Sequence, residues 1–276
     1  MFQQFWLFHC GWIRLPRPAL VAGTRLDFPR LPFLAGLAVH ADIGPVLLDA
    51  PFGRGGFRDL GRFLGTIAKT AGLRFDEDWS VASRVEQLGF DREDIEHIVL
   101  THMHFDHTGA LDEFERATVH ACETEWRHSR DLEGIDALRA GVQVEDLLGL
   151  SGRLETFEMP AHLAEDQDGH DVFGDGSLRA VGLPGHSIGH VGYLLEFDQG
   201  SRLLHAGDAA YSLEQIQHGK SLGYFPRQVS ESRAELKRSL RALRAFHEQN
   251  PDVEIITSHD FDLGERCFDE PTRLRG

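Results

Sequence analysis

The chain has 276 residues, 41% of them hydrophobic and 26% charged, enough apolar content to bury a large core. Its formal net charge of -16 argues against a nucleic-acid partner, because phosphate backbones are bound by basic stripes. No stretch reaches the ~18 uninterrupted apolar residues of a membrane span, and Cys10, Cys122 and Cys267 are too sparse for a disulfide framework or a zinc knuckle.

The first segment, MFQQFWLFHCGWIRLP, lacks the basic start and long apolar run of a signal peptide, so a soluble, cytoplasmic protein with reduced thiols is expected. Its aromatic residues Phe5, Trp6, Phe8 and Trp12 read first as the packing of an opening strand. A second reading makes them a pocket wall or the interface of a homodimer. Val46-Leu47-Leu48 is a buried-strand pattern ending at Asp49. Val81, Val85 and Leu88 then fall at helical spacing, with Gly89 as the stop. Ile98-Val99-Leu100 is a second apolar run and leads into His102. Residues 130 to 150 have the pattern of a helical insertion that could lie over the site. Residues 178 to 183, 191 to 197 and 202 to 206 read as strands, interrupted by a glycine-rich turn around His186. Leu236, Leu240 and Leu243 repeat the helical spacing behind Ser232 and Glu235, a capping-box pair. Val253 to Ile256 is a last strand running into His259. With no linker or break in composition, one domain over 1–276 is expected: an α/β sandwich with its chemistry where strands end.

That chemistry is written in residues 101 to 109, Thr-His-Met-His-Phe-Asp-His-Thr-Gly, which place His102, His104, Asp106 and His107 within six positions. His186, Asp208 and His259 follow at distance. Five imidazoles and two carboxylates exceed one tetrahedral ion but suit two divalent ions, with zinc favoured, sharing a carboxylate. His102 and His104 are two apart, so an extended segment points both to one side. His186 completes that site. Asp106 and His107, at the turn before Gly109, serve a second ion together with His259, and Asp208 is the natural bridge. Such a pair supplies hydroxide near neutral pH, so a metal-dependent hydrolase of a small-molecule ester is expected.

The pattern His-x-His-x-Asp-His, with separate His, Asp and His motifs beyond it, resembles the metallo-β-lactamase superfamily from Asp49 to His259. The resemblance implies an αββα sandwich, two mixed sheets flanked by helices, with the metal site at one edge between the sheets. Asp49 matches the superfamily's first motif, a carboxylate behind the ligands, although Ala50-Pro51 follows it rather than Thr-Gly. His104 stands where the redox di-iron branch carries glutamate, and Asp208 where the zinc β-lactamases carry Cys or Ser. The short segment after His259 speaks against glyoxalase II, and the net charge against the tRNA-processing branch. Phe105, Tyr211, and Ser258-His259-Asp260 followed by Cys267 are similar to the N-acyl-homoserine lactonases, the quorum-quenching branch. By that resemblance a bridging hydroxide attacks a lactone carbonyl, Tyr211 steadies the oxyanion, and Asp106 protonates the leaving alkoxide. The alternative keeps the metals and takes a phosphoester or organophosphate.

Of the remaining histidines, His190 is expected to be a buried hydrogen-bonding partner rather than a ligand, and His205 a buried neighbour of the site. His162, His170 and His218 are expected in exposed loops.

Overall fold

A computed structural model describes residues 1–56 and 72–276. The strands are β1 (Phe2–Arg14), β2 (Val21–Ala22), β3 (Arg30–His40), β4 (Gly44–Leu48), β5 (His97–Val99), β6 (Thr118–Cys122), β7 (Leu154–Phe157), β8 (His170–Asp171), β9 (Leu178–Gly182), β10 (Val191–Glu196), β11 (Arg202–His205), β12 (Ser221–Leu222), β13 (Glu254–Ile256) and β14 (Thr272–Arg275). Seven form one sheet in the order β14-β1-β3-β4-β5-β6-β7, and five form a second in the order β13-β11-β10-β9-β8. Both sheets are mixed. β4 to β7 run parallel while β1 and β3 are antiparallel, and β11 is parallel to β13 but antiparallel to β10.

The apolar runs have no polar alternation because both faces of each sheet are covered. Side chains alternate across a strand. In β4, Val46 and Leu48 therefore enter the layer between the sheets, while Leu47 faces the helix Val81–Gln87 through Val81, Ala82 and Val85. In the second sheet Tyr193, Leu195, Leu203 and Ile256 face inward, and Leu194, Leu204 and Ile255 meet the helix Arg233–Gln249. Helix, sheet, sheet and helix are thus stacked by three apolar layers, the αββα sandwich. Leu236, Leu240, Leu243 and Phe246 line the buried face of the long helix, each contributing about 1.5–3 kcal/mol. β1 carries the aromatic opening segment: Phe5 and Phe8 are buried on opposite faces, in two different layers, while Trp6 and Trp12 are half-buried.

Two local expectations are corrected. Ser232 does cap the long helix, its hydroxyl accepting the Glu235 N–H at 3.3 Å. The reciprocal half of the box is missing, since the Ser232 N–H already donates to the Gly185 carbonyl at 3.0 Å, and Glu235 pairs with Arg238 instead. His162 is buried rather than exposed: it lies beneath the long helix, with its Nε2 3.3 Å from the Ser239 hydroxyl. His170 and His218 are exposed as expected, although His170 lies in β8 rather than in a loop.

Residues 130 to 150 fold into two short helices, Gly134–Arg139 and Val144–Leu148. The second is tied to the one-turn helix Phe105–Thr108 through Asp146, whose carboxylate accepts from the Thr108 hydroxyl at 3.0 Å and from Gln143 at 2.7 Å. Burial pushes the Asp146 carboxyl up from 3.8 to about 7. A raised carboxyl favours the folded state least where it is ionised in the unfolded chain. Stability is therefore lost between about pH 4 and about pH 7 as the unfolded state releases this proton and the folded state keeps it. Asp146→Asn is expected to flatten this slope, with a Tm above the parent's at pH 8 but not at pH 4. Thermal melts across that range check it.

Candidate metal centre

The ends of β4, β5, β11 and β13 lie at one edge of the sandwich, because β4 pairs with β5 in parallel and β11 with β13 in parallel. Asp49 follows β4, the segment Thr101 to His107 follows β5, Asp208 follows β11 and His259 follows β13. His186 reaches the same place from the β9–β10 connection. All seven residues singled out in the sequence come together there. Among the described residues, ligand atoms within 4.8 Å of one another form the sets His102/His104/His186, His102/His107/Asp208 and Asp106/His107/His259.

The distances suit cations better than hydrogen bonds. His186 Nε2 lies 3.1 Å from His102 Nε2 and 2.9 Å from His104 Nδ1, so three ring nitrogens face a single point. Each neutral imidazole carries one proton, and three converging nitrogens cannot satisfy one another. Asp208 Oδ2 lies 3.3 Å from His186 Nε2 and 3.1 Å from His259 Nε2, while Oδ1 is 3.5 Å from His107 Nε2. Buried His107 Nε2 and Asp208 Oδ1 have no hydrogen-bond partner among the described residues. Asp106 Oδ2 approaches His259 Nε2 at 3.6 Å. The donor set of imidazole nitrogen and carboxylate oxygen therefore fits two divalent ions, with Asp208 reaching toward both clusters.

The ring orientations are fixed from behind. His107 Nδ1 donates to Asp49 Oδ2 at 2.9 Å and His259 Nδ1 to the Pro32 carbonyl at 2.8 Å, leaving Nε2 of each to the site. Asp49 itself accepts the Thr101 N–H at 2.8 Å and adopts a left-handed φ of 59°, which turns its side chain under the ligands. His190 holds the Asp208 backbone, its Nε2 accepting the Asp208 N–H at 3.0 Å. His205 is buried nearby. Both match their expected innocent roles.

Electrostatics agree with this arrangement. Burial holds His102 and His186 well below the usual imidazole range, so their lone pairs are free. Burial also acts to lower His107 and His259, but the Asp49 and Asp208 carboxylates outweigh it at His107, and Asp208 at His259. Burial would raise Asp208, yet the His259, His186 and His107 rings hold it well below the carboxylate range. The carboxylates thus favour positive charge at His107 and His259, the charge that cations would supply instead.

A cavity of about 350 Å³ opens onto these groups. Ile13, Leu15, Leu31, Phe33, Phe105 and Leu138 form much of its wall, and His104, Asp106, His186, Asp208 and His259 its floor. Tyr211 also lines it, stacked on His259 with ring centroids 5.4 Å apart and its hydroxyl 3.4 Å from His186 Nδ1. Burial and the Asp208 and Asp106 carboxylates raise the phenol well above its ordinary value, so it remains a donor.

The sequence model of the metallo-beta-lactamase superfamily matches residues 70–247. The chain belongs to this superfamily. An N-acyl homoserine lactonase AttM of Agrobacterium fabrum is 32% identical over 190 residues, 68% of this chain. The chain spans 66% of that relative's length. A probable metallo-hydrolase, Rv2300c of Mycobacterium tuberculosis, is 30% identical over 84% of this chain and 76% of its own. An N-acyl homoserine lactone hydrolase solved with N-hexanoyl-L-homoserine at its catalytic metal centre superimposes with a TM-score of 0.75 at 19% identity. That match covers 99% of this chain and 100% of the other. The shared superfamily fold accounts for the strand-end placement of the seven groups.

Sequence reasoning missed Glu125 and Asp260. Asp260 caps the helix Phe261–Arg266 and accepts the Leu213 N–H at 2.7 Å, joining the His259 loop to the segment after Tyr211. Its signal was present in Ser258-His259-Asp260 as an N-cap residue before an apolar position. Glu125 left no such signal, since its partners are backbone and hydroxyl groups of remote loops.

Gly207, between His205 and Asp208, has a φ of 52°, and a Cβ there would stand 2.6 Å from His190 Nε2. Gly207→Ala should cost about 2–4 kcal/mol from the left-handed backbone plus overpacking against a ring that holds Asp208. Denaturant unfolding of the two proteins checks this.

Proposed function

We propose that this protein is a dinuclear-metal hydrolase, most naturally dizinc, that opens the ring of an N-acyl-homoserine lactone or a closely similar ester. The observation that carries this reading is the apolar cavity whose floor is the His and Asp cluster. At about 350 Å³ it falls at the small end of the roughly 300–1,000 Å³ range of small-molecule sites. Its wall is mostly apolar and suits an acyl chain, with Arg139 also lining the cavity. The names of the lactonase relatives point the same way. The net charge of -16 supports a small substrate over a nucleic acid, and three free, buried cysteines support a reducing, cytoplasmic setting. No helix among the described residues is long and apolar enough to cross a membrane. We take residues 1–276 as one domain.

In this reading His102, His104 and His186 would hold one ion and Asp106, His107 and His259 the other, with Asp208 placed to serve either. A bound pair supplies Lewis acidity and lowers the pKa of water at the site. The chain's own groups do the rest. The apolar wall takes the acyl tail, at about 0.8 kcal/mol for each methylene removed from water. The Tyr211 hydroxyl donates to the oxygen that gains charge as the carbonyl carbon becomes tetrahedral, worth about 3 kcal/mol for one well-placed donor. Asp106 delivers a proton to the leaving alkoxide. Water's oxygen ends on the acyl carbon and its proton on the ring oxygen, giving a hydroxy acid.

Tyr211→Phe is expected to lower kcat about a hundredfold, with a smaller change in KM and unaltered metal content, because the lost bond forms chiefly in the transition state. An unchanged kcat in steady-state assays removes Tyr211 from the reaction. On a lactone series, KM should fall about fourfold per added methylene until the tail outgrows the cavity. A phosphotriester panel run beside it discriminates the rival: faster turnover of triesters than of every lactone would replace this proposal.

A further inference from the structure

We propose that Glu125 is the positioning residue that locks the His102–His104 loop against the His186 loop and so sets the affinity of the ion these three histidines hold. The inference rests on the metal-pair reading above and adds a residue outside the ligand set.

Glu125 lies in the first turns of the helix Glu123–Ser129, directly after β6, and its side chain is buried. A buried carboxylate is costly unless its oxygens are hydrogen-bonded. Both are bonded, and the donors come from the two ligand loops. Oε1 accepts the Met103 N–H at 3.0 Å, and Met103 stands between His102 and His104. Oε2 accepts the Ser187 hydroxyl at 2.8 Å, next to His186, and the Gly189 N–H at 2.8 Å. One rigid three-atom group thus fixes the separation of two loops whose ring nitrogens must converge within about 3 Å of one another.

The joint is close-packed. A Cβ on Gly189 would lie 2.4 Å from the Glu125 backbone nitrogen, so only glycine lets the loop approach the helix this closely. From the other side, the Glu231 and Ser232 N–H groups donate to the His186 and Gly185 carbonyls at 3.1 and 3.0 Å. The His186 loop is therefore held between two helix starts, and Glu125 is the one that also grips the His102–His104 loop. The second cluster has different supports: Asp49 behind His107, and the Pro32 carbonyl behind His259. Losing Glu125 should then affect one ion and spare the other.

Glu125→Gln keeps the shape but places an amide N–H₂ against N–H or O–H donors. After dialysis in chelator-buffered zinc, wild-type protein should keep two equivalents and the variant one. The dissociation constant of the lost ion should rise about ten- to a hundredfold, the usual cost of removing a ligand's supporting partner. In the cobalt(II) form the absorption of the three-histidine site should vanish at one equivalent and return with excess cobalt. A purely structural residue would not act on one ion alone. Equal weakening of both ions, or wild-type affinity for both with only a lowered Tm, overturns the proposal. Should Glu125→Gln fail to fold, Ser187→Ala removes one of the three bonds, and a smaller loss from the same ion is expected. No selective loss in that variant also overturns it. The readout is metal binding, so a protein that opens no lactone would sink the proposed activity and leave this test standing.

Discussion

A carboxylate with imidazole edges at 3.1 to 3.5 Å on both its oxygens, sealed from solvent, is the constraint on which the molecule's working edge depends. Among the described residues Asp208 has no hydrogen-bond donor for Oδ1, and the His107 and His259 rings are held by partners at Nδ1 that leave Nε2 facing the centre. Burying such a charge without compensation is prohibitive, so the arrangement calls for positive charge at its centre. Two divalent ions supply it. Metal binding and the packing of this edge are one problem.

The sandwich solves that problem with strand ends. Three apolar layers fix the two sheets rigidly, so residues just past β4, β5, β11 and β13 emerge at defined places while their side chains remain free to converge. Precision beyond that comes from single buried groups that tie one loop to another: Asp49, His190, Asp260 and Glu125. Each trades its hydration for bonds to backbone or ring donors, and each fixes a distance the sheets alone leave open.

The cavity adds selectivity to reactivity. Its apolar wall and the charged cluster on its floor form a sharp polarity gradient across the cavity. The helix Gly134–Arg139 and the turn after it supply part of that wall, and the turn is anchored to the ligand loop itself, with the Phe105 N–H donating to the Gly141 carbonyl at 2.8 Å. The cavity wall and the ligand positions are mechanically linked there.

The seven candidate ligands, the bordering strands and the sandwich class were legible in the sequence because they depend on local pattern. Apolar runs such as Val46-Leu47-Leu48 mark doubly covered strands, and a cluster like His102 to His107 has few innocent explanations. The long helix was legible in its leucine spacing, but only half of its expected capping box forms, since the competing acceptor, the Gly185 carbonyl, lies 47 residues away in sequence. His162 was misread for the same reason: its burial comes from a helix that begins 71 residues later. What tertiary structure alone decided was which groups meet: the convergence of two clusters on Asp208, the grip of Glu125 on two loops, and the shape of the cavity. Periodicity and motif record what each segment wants to bury or bind. Contacts between remote loops depend on how sheets twist and stack, and a linear pattern does not encode that geometry one residue at a time.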